Sequence, residues 1–455
     1  MLIMDFKGKK IAVIGAGVEG LSSLEFFSKK EALLFILDQK NENEIKRDKL
    51  DRIKGLGAKI ITGKNYLSSL SDFDIIVRSP GVRRDLPEIV RAEKRGAVVT
   101  SQTKLFFDLC PAKIIGVTGT KGKGTTSSLI YEILKQAGRE VFLGGNIGKP
   151  PLDLIDELTK ESIVVLELSS FQLIDLDKSP YIAVILMITS EHLDWHKSPD
   201  EYFKAKETIV KFQNENDSVV MNADFEQSKK IGDTSLAKKY YFSTKSKIGQ
   251  GAFVDEDQIV STIGSLQEVV KISDIKIPGE HNLQNVAAAT LVAEILKIPV
   301  DAIRSAVRLY KGLPHRLELI AEKNGVPFYN DSASTNPETT IAAILAFKNP
   351  KILILGGSSK NSNFDNLGKA ASNENVKAVI LVGQEAIRIK QSLERANFKG
   401  QIVENVEEMQ GVVGKAVSLA NMGDVVILSP ACASFDQYKN YIERGEKFKQ
   451  AVREL

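Results

Sequence analysis

The feature that most limits how this chain can fold is a loop rich in glycine and threonine at residues 116–126. An apolar run at 113–117 leads into the loop, and a helical pattern follows at 127–138. A strand, a glycine-rich turn with a lysine and a helix are typical of a phosphate-binding loop, because backbone N–H groups and the helix N-terminus then face the anion. We therefore expect Lys123 to contact the outer phosphates of a nucleotide.

This loop departs from the strict GxxxxGK[ST] spacing at two points. Val117 holds the place of the first glycine, and Gly124 follows Lys123. Either Thr125 or Thr126 would therefore supply the hydroxyl that contacts Mg²⁺. Taken alone, the loop could also be an ordinary surface turn.

The bulk composition is that of an ordinary globular protein. A length of 455 residues corresponds to roughly three domains of about 150 residues each. Hydrophobic residues make up 43% of the chain and charged residues 26%, as in typical soluble domains. The net charge of +3, from 61 basic and 58 acidic residues, gives no reason to expect nucleic acid or an anionic membrane as a partner.

The cysteines and the apolar runs indicate the cellular compartment in which the protein is expected. Cys110 and Cys432 form no CxxC and no metal-ligand spacing, which excludes a disulfide framework and fits a reducing compartment. The first ten residues lack an apolar signal core. The longest apolar run, at 181–188, is far shorter than the ~20 residues of a membrane span. We expect a cytoplasmic protein without membrane insertion.

A second glycine-rich turn lies near the start of the chain. Residues 11–38 form a βαβ pattern with GxGxxG at 15–20 and Asp38 at the end of the second strand. This pattern is typical of a site for NAD or another nucleotide diphosphate, although it can also be a purely structural turn. Another strand, at 73–77, leads to a loop at 79–81. Ligands of open α/β sheets bind at such strand ends.

The alternation of strands and helices restarts twice, near 106–112 and at 311–314. We therefore predict three α/β domains at 1–108, 109–312 and 313–455. The first and third would be Rossmann-like, and the central one would have a P-loop ATPase-type parallel or mixed sheet. Strands are predicted at 163–167, 183–188, 327–330, 351–355, 378–382 and 425–428. Helices are predicted at 281–296 and 338–347, and a further helix is predicted to end at 309. Strands and turns are predicted at 214–276.

Polar residues follow several of these strands. Glu167 ends the strand at 163–167, and His192 follows the strand at 183–188. A Mg²⁺–ATP site needs hard oxygen ligands at such strand ends, so Glu167 is a candidate metal ligand. It could equally be a solvated carboxylate, and a lone histidine is more often structural than a ligand.

Three polar runs in the last third of the chain also follow strands, at 331–336, 356–360 and 429–434. The last two are similar to phosphate or carboxylate cradles, and the first also caps the following helix. Cys432 lies in the third run, but no base stands beside it in the sequence, so we do not expect a nucleophile there.

Together these segments resemble the Mur ligase family, and most closely its D-glutamate-adding branch. The resemblance is specific because eleven segments match in the family's order. These are 15–20, 79–81, 119–126, 144–148, 167–173, 191–194, 279–285, 312–316, 331–336, 356–360 and 429–439. It implies a UDP-binding first domain, a central ATPase domain and a third domain for the incoming amino acid.

The resemblance also implies an activity in peptidoglycan precursor synthesis. ATP would phosphorylate the carboxylate of UDP-N-acetylmuramoyl-L-alanine, and the amine of D-glutamate would then displace phosphate from the acyl phosphate. Two Mg²⁺ ions would assist. The partners would be these small molecules alone, and we expect a monomer.

Site residues follow by resemblance, position by position. UDP-substrate contacts are implied at Gly15, Gly17, Val18, Glu19, Asp38, Gln39, Ser79 and Gly81. ATP contacts are implied at Gly119, Thr120, Lys121, Gly122, Lys123, Gly124, Thr125, Thr126, Asn282, Asn285, Arg316 and Asp331. Catalytic positions are Lys123, Asn146, His192, Lys206 and His315. D-Glutamate contacts are Thr335, Lys360, Ser434 and Tyr441.

Metal ligands implied by the family are Thr125, Glu167, His192 and Lys206. Lys206 falls where the family carries a carbamylated lysine. An ammonium, with an ordinary pKa of about 10.4, would repel Mg²⁺, whereas a carbamate would offer it an anionic oxygen. Without the resemblance, Lys206 would be read as a plain surface lysine.

Three positions depart from the family pattern. Lys121 stands where an asparagine is usual, and Ala333 where some members have a lysine that contacts the product's carboxylates. Gly124 replaces a hydroxyl residue, as in folylpolyglutamate synthetases. This last feature leaves open a ligase that adds glutamate to a folate.

Two other classes remain as alternatives. An NAD-dependent oxidoreductase would explain the turn at 15–20 but not the second phosphate loop. A non-catalytic nucleotide-binding module would require Lys123 and Lys206 to be dispensable.

Overall fold

The computed structural model describes residues 5–189, 191 and 195–455. The chain forms two compact units, Met1–Val270 with Gln284–Ala306 and Lys271–Leu283 with Val307–Leu455. Two sheets belong to the first unit and one to the second. The three-domain α/β architecture is confirmed, while the boundaries near 108 and 312 stay predictions. Within the described residues, no helix is long and apolar enough to cross a membrane.

The first sheet has five parallel strands in the order β3-β2-β1-β4-β5. Its strands are β1 Lys10–Ile14, β2 Leu33–Asp38, β3 Lys59–Thr62, β4 Ile75–Arg78 and β5 Val98–Ser101. Its helices are α1 Val18–Ser28, α2 Arg47–Gly55, α3 Pro87–Lys94 and α4 Gln102–Leu109. Buried apolar residues fill β1 and β4 because helices cover both faces of the sheet. The strand order reverses between β1 and β4, where doubly wound sheets bind ligands.

The second sheet has nine strands in the order β14-β13-β12-β11-β10-β9-β6-β8-β7. Its strands are β6 Lys113–Thr118, β7 Val141–Gly145, β8 Ile163–Glu167, β9 Ile182–Ile185, β10 Ser218–Asn222, β11 Lys238–Ser243, β12 Gly251–Asp255, β13 Gln258–Ser261 and β14 Gln267–Lys271. Its helices are α5 Lys123–Gln136, α6 Ser170–Leu173, α7 Pro199–Lys211, α8 Glu226–Asp233, α9 Glu280–Ile295 and α10 Val300–Leu309. The sheet is mixed, since β12 and β13 pair antiparallel whereas β6 to β11 pair parallel with their neighbours.

Three predictions in this region were wrong in detail. Helix α5 begins at Lys123 rather than at 127, because Gly122 adopts a left-handed φ of 86° and turns the chain directly into the helix. Strand β9 ends at Ile185, since beyond it Met187 accepts a hydrogen bond from the phosphate loop instead of pairing in the sheet.

The third error concerns residues 214–276, where the sequence predicted only strands and turns. They also contain α8, whose sequence is mostly polar and whose apolar periodicity is too sparse to be recognised. The helix packs through Gly232, where a Cβ atom would lie 2.4 Å from Met221 Sδ. A close approach of this kind is a tertiary feature that periodicity does not reveal.

The third sheet has the order β15-β16-β20-β17-β18-β19. Its strands are β15 Glu318–Lys323, β16 Val326–Asn330, β17 Lys351–Gly356, β18 Val376–Val382, β19 Gln401–Val403 and β20 Val425–Leu428. Its helices are α11 Pro337–Leu345, α12 Asp365–Asn373, α13 Ala386–Arg395, α14 Met409–Leu419 and α15 Tyr441–Arg453. Only β15 pairs antiparallel, and apolar clusters cover both faces of the sheet.

Candidate active site

The phosphate loop connects β6 to α5, and two of its glycines are required by close contacts. A Cβ atom at Gly119 would lie 2.8 Å from Leu186 Cβ, and one at Gly122 would lie 2.4 Å from Asn285 Oδ1. Gly122 is also the N-cap of α5 and supplies no side-chain cap. The first N–H groups of α5 therefore lack a side-chain acceptor from the N-cap, which suits an anion.

Two lysines of this loop are held differently. Lys123 folds back over the loop, with Nζ 2.9 Å from Gly119 O and 3.1 Å from Thr120 O. Lys121 points to Glu191 instead, with a distance of 2.8 Å between Nζ and Oε1. The extra positive charge that the sequence places in the loop is thus balanced by a carboxylate.

Two threonines, Thr125 and Thr126, follow Lys123 in the first turn of α5. Thr126 is fully buried, and its Oγ1 donates a hydrogen bond to Asn285 Oδ1 at 3.1 Å. Thr125 is half-buried in the first turn of α5. The hydroxyl of Thr126 is therefore already used inside the protein.

Glu167, at the end of β8, fits a cation. Its carboxylate is 4% exposed, and Oε1 accepts a hydrogen bond from Asn146 Nδ2 at 2.9 Å. Oε2 is buried and has no hydrogen-bond partner within the described part of the chain. A buried carboxylate oxygen without a donor is costly unless an ion satisfies it, so Glu167 suits Mg²⁺. His192 lies outside the described residues, and the described residues contain no cluster of three His, Cys, Asp or Glu side chains that could hold a metal.

Lys206 on α7 is almost completely buried, at 1% exposure. Its Nζ contacts Thr118 Oγ1 at 3.2 Å and Gly119 O at 3.0 Å, both neutral oxygens. Burial and the nearby charge of Lys123 lower the pKa of Lys206 well below its ordinary value. Its amine is therefore biased toward the neutral form, which can add to CO₂.

The N-terminal glycine turn lies beside the loop that follows β4. Gly15 has a left-handed φ of 99°, and a Cβ atom there would lie 2.8 Å from Ser79 Oγ. Ser79 Oγ in turn donates a hydrogen bond to Ile14 O. Gly17 is the N-cap of α1 and again provides no side-chain cap. The structure therefore brings residues 15–20 and 79–81 together at the point where the strand order reverses.

The other predicted UDP-site residues surround this turn. Asp38 accepts hydrogen bonds from Ala16 N at 2.7 Å and from Lys40 N at 2.9 Å, so its carboxylate braces the turn. Val18 is 68% exposed, and Gln39 is exposed as well. Their side chains remain accessible to a ligand.

Glu19 joins the glycine turn to the second sheet. Its Oε1 accepts a hydrogen bond from Gln172 Nε2 at 2.9 Å, and its backbone oxygen accepts one from Gln102 Nε2 at 3.0 Å. Burial raises the pKa of Glu19 above its ordinary value. Gln172 belongs to α6, which begins three residues after Glu167, so one short segment borders both the glycine turn and the candidate metal ligand.

A buried ion pair that the sequence analysis missed supports the loop at 79–82. Arg78 and Asp175 both have fully buried side chains and contact each other through Nη2 and Oδ2. The same guanidinium donates to Ser79 O and Pro80 O at 3.2 Å each and to Phe171 O at 3.0 Å. The signal was present, since an arginine ends an otherwise apolar strand, but its partner lies 97 residues away.

In the second unit, His315 lies in the segment that leads into β15. Its φ is 62°, and its Nδ1 lies 2.9 Å from Asn330 Nδ2. Gly445 on α15 must be a glycine, because a Cβ atom would lie 2.2 Å from this Nδ1. Burial lowers the pKa of His315, which favours the neutral imidazole. Arg316, the next residue, is exposed.

Asp331 is bonded within its own unit. Its Oδ1 accepts a hydrogen bond from Leu317 N at 3.1 Å, and its Oδ2 accepts one from Ser429 Oγ at 2.7 Å. Burial raises the pKa of Asp331 to about 6. Asn282 donates to Pro278 O at 2.6 Å in the same unit, whereas Asn285 contacts the phosphate loop in the first unit.

The three polar runs of the third sheet meet at Arg444, which the sequence analysis also missed. Its guanidinium donates to Ser332 O at 2.9 Å, Cys432 O at 3.1 Å and Ala433 O at 3.2 Å. Ser358 N donates to Ala433 O at 2.9 Å, which joins the runs 356–360 and 429–434. Burial raises the pKa of Cys432 to about 12, in agreement with a structural thiol.

The predicted D-glutamate residues differ in exposure around these joined loops. Ser434 is buried, at 2% exposure, and Thr335 is half-buried. Lys360 and Tyr441 are exposed. A cationic head and hydroxyl groups are side chains that can bind a carboxylate and orient it.

Sequence profiles of known families cover most of the chain. The profile of the Mur ligase MurD-like N-terminal domain matches residues 9–101, that of the Mur ligase middle domain 117–293, and that of the Mur ligase glutamate ligase domain 315–432. These matches lie in the same order along the chain as the three sheets.

Three full-length relatives of the chain carry the same name. The chain is 42% identical to UDP-N-acetylmuramoylalanine--D-glutamate ligase from Acetivibrio thermocellus, with 99% of this chain and 97% of the relative covered. Proteins of the same name from Ruminiclostridium cellulolyticum and Clostridium tetani are 40% and 38% identical, with 99% and 98% of this chain and 98% and 97% of the relatives covered.

Solved structures agree on the fold. UDP-N-acetylmuramate-alanine ligase from Thermotoga maritima aligns with a TM-score of 0.60 at 19% identity, covering 98% of this chain and 99% of that structure. MurF from Acinetobacter baumannii aligns with a TM-score of 0.62 at 16% identity, covering 96% and 93%. With full-length identity of about 40% to the relatives above, the chain belongs to the Mur ligase family.

Proposed function

We propose that this chain is an ATP-dependent ligase that joins D-glutamate to UDP-N-acetylmuramoyl-L-alanine in peptidoglycan precursor synthesis. The observation that carries the proposal is the 42% identity, over 99% of the chain, to a ligase of that name. The reaction forms one amide bond and converts ATP to ADP and phosphate. We expect it to run in a cytoplasmic monomer that takes only small-molecule substrates.

The phosphate loop is the nucleotide half of the site. Backbone N–H groups at the start of α5 and the Nζ of Lys123 would hold the phosphates, with Asn282, Asn285, Arg316 and Asp331 as further ATP contacts. Thr125 and Glu167 would hold one Mg²⁺, which neutralises the charge of the transferred phosphoryl group when bound. Oε2 of Glu167, which has no hydrogen-bond partner among the residues that the structure describes, supports this assignment.

A second Mg²⁺ would be held by His192 and by Lys206 as its carbamate. The nearly complete burial of Lys206 supports carbamylation, because only a neutral amine adds to CO₂. As the bond between Nζ and the carbon of CO₂ forms, the amine would release one of its two protons, and the resulting carbamate would offer an anionic oxygen to the ion. His192 enters the proposal by its place in the sequence alone.

The remaining residues would orient the two substrates. The turn at 15–20, Asp38, Gln39 and the loop at 79–81 would hold the UDP moiety. Asn146 and His315 would lie close to the carboxylate that receives the phosphoryl group. Thr335, Lys360, Ser434 and Tyr441 would hold D-glutamate, whose amine attacks the acyl carbon, loses a proton and expels phosphate.

The test follows release of ADP and phosphate from ATP with UDP-N-acetylmuramoyl-L-alanine and D-glutamate. Parallel reactions replace D-glutamate by L-glutamate or L-lysine, or replace the UDP-sugar by a folate with L-glutamate. We expect turnover only with the UDP-sugar and D-glutamate together. Turnover that does not require both, or that is supported by the folate, would refute the proposal.

A further inference from the structure

Trp195, the only tryptophan of the chain, is held by the loop that follows β4. Its Nε1 donates a hydrogen bond to Gly81 O at 3.1 Å. The guanidinium of Arg83 lies over the indole at 5.0 Å from the ring centroid and also donates to Trp195 O. The loop thus contacts both the polar edge and the face of the indole, and a cation over an indole face is attractive.

On its other side, Trp195 belongs to a cluster of rings. Phe171 lies 4.8 Å away between centroids and His196 4.7 Å away, both edge to face. His196 is 2% exposed, contacts Tyr202 at 5.4 Å and bonds to Ser170 Oγ through Nε2 at 2.9 Å. Edge-to-face pairs at these distances are favourable and directional, so the cluster has a defined geometry.

The cluster ends at the phosphate loop. The hydroxyl of Tyr202 lies 2.9 Å from Thr120 Oγ1, and Tyr202 is 1% exposed. Thr120 also exchanges two hydrogen bonds of 2.9 Å with the backbone of Thr189. The ring of Tyr202 lies 4.9 Å from Lys206 Nζ. A continuous set of contacts therefore runs from Gly81 to Thr120.

We propose that Trp195 is a positioning residue that couples the loop at 79–84 to the phosphate loop, so that the UDP-substrate and the nucleotide each strengthen binding of the other. The inference rests on the proposed function, because the loop at 79–84 contains the segment 79–81 that is proposed to hold the UDP moiety. Each ligand orders one end of the same set of contacts. The second ligand then has less to order, and thermodynamic linkage requires the effect to be equal in both directions.

Trp195→Phe isolates the critical contact. Phenylalanine keeps an aromatic ring beside Phe171 and His196 but removes the donor to Gly81 O. The matched control is Tyr241→Phe. It also removes one side-chain donor. Tyr241 lies on β11, away from both glycine turns, and its hydroxyl donates a hydrogen bond to Asp233 Oδ1 at 3.0 Å.

Calorimetry measures the coupling directly. UDP-N-acetylmuramoyl-L-alanine is titrated into the protein with and without Mg²⁺ and a non-hydrolysable ATP analogue. We expect the analogue to tighten substrate binding about 5- to 10-fold in the wild type and in Tyr241→Phe, within the usual range of coupling factors. In Trp195→Phe the factor should fall to below about 2-fold, while the analogue alone binds as in the wild type.

Two further readouts separate positioning from a merely structural effect. Indole emission of the wild type should change when either ligand binds alone, because each acts on the contacts of Trp195. In steady state, Trp195→Phe should raise the KM for the UDP-substrate about 3- to 10-fold, the loss expected for one hydrogen bond, and change kcat less than about 2-fold.

Several outcomes would overturn the inference: an undiminished coupling factor in Trp195→Phe, an equal loss in Tyr241→Phe, or indole emission that responds to neither ligand. Failure of the proposed function would look different. The wild type would then bind the nucleotide analogue but neither bind the UDP-substrate nor turn it over with D-glutamate.

Discussion

The two glycine-rich turns, at 15–20 and at 116–126, have the same local design and different surroundings. Each follows a parallel strand, and each opens a helix whose N-cap is a glycine without a side-chain cap. The carboxylate of Asp38 braces the N-terminal turn, and that of Glu19, within the turn, accepts a hydrogen bond from Gln172. The phosphate loop instead carries Lys123, with the buried Lys206 beside it.

Under the proposed function, this difference would let one backbone arrangement serve two purposes. Backbone N–H groups suffice to bind a diphosphate that does not react. Transfer of a phosphoryl group between two anions requires cations at the site, because negative charge must be neutralised in the transition state. Lys123 supplies such a cation beside the second turn, and the buried carboxylate of Glu167 there is suited to hold another.

Lys123→Ala should show the difference between the two turns most strongly. It removes the cation from the phosphate loop, so kcat for ADP release should fall about 10³-fold, as expected for loss of a preorganised charge. Calorimetry should still show binding of UDP-N-acetylmuramoyl-L-alanine within about 2-fold of the wild type. A variant that keeps more than a tenth of wild-type kcat would place the reactive phosphate elsewhere.

Lys206→Ala should lower kcat about 10²-fold or more, because it removes the proposed carbamate oxygen from the metal. Added bicarbonate should stimulate the wild type at low CO₂ and leave the variant unchanged. Carbon-13 NMR with labelled bicarbonate should show a carbamate signal only in the wild type.

The matched control for Lys206 is Lys204→Ala, on the same helix but exposed. It should behave as the wild type in both the kinetic and the NMR measurement. Near-normal turnover of Lys206→Ala would remove the carbamate from the mechanism.

Asp175→Asn should destabilise the loop at 79–82, which lies beside the first turn. It leaves the buried guanidinium of Arg78 without its carboxylate, which costs about 3–5 kcal/mol in the free energy of unfolding. Urea denaturation measures the change. Asp177→Asn is the control, since its ion pair with Lys104 is 2.5 Å long but Asp177 is 60% exposed, and about 0–1 kcal/mol is expected. Equal changes in the free energy of unfolding for the two variants would contradict a stabilising role of the buried pair between Arg78 and Asp175.

Glu19 should make binding of the UDP-substrate at the first turn weakly dependent on pH. Its pKa is raised, so it becomes neutral as the pH falls through that raised value, and repulsion of a diphosphate is then lost. The UDP-substrate should therefore bind about 2- to 3-fold tighter at mildly acidic pH, in line with a partly screened charge. Glu19→Gln should bind tightly at neutral pH and lose the dependence, which calorimetry between pH 5 and 8 can check.

Much of the fold was predictable because its strands are buried on both faces. The run at 163–167 is apolar throughout and forms β8 with the predicted bounds. The runs at 351–355 and 425–428 also form strands in the third sheet. The turns were predictable for a related reason, since only glycine tolerates the left-handed backbone and the close contacts there.

The contacts that organise the candidate site were less accessible to prediction. Arg78 and Asp175 lie 97 residues apart, and Trp195 lies 114 residues from Gly81. No local pattern links such pairs, because each depends on how separate sheets pack. The hydrogen bond of Thr126 likewise reaches Asn285, a residue 159 positions away.

By itself, the sequence determined the α/β class, the two glycine turns and the family, because these depend on local backbone requirements and on residue order. The tertiary structure alone decided which polar atoms are buried and what they contact. It buried Lys206 next to neutral oxygens, left Glu167 Oε2 without a donor in the described part of the chain and placed Trp195 against Gly81. Desolvation and distance determine those properties, and neither can be read from the order of residues.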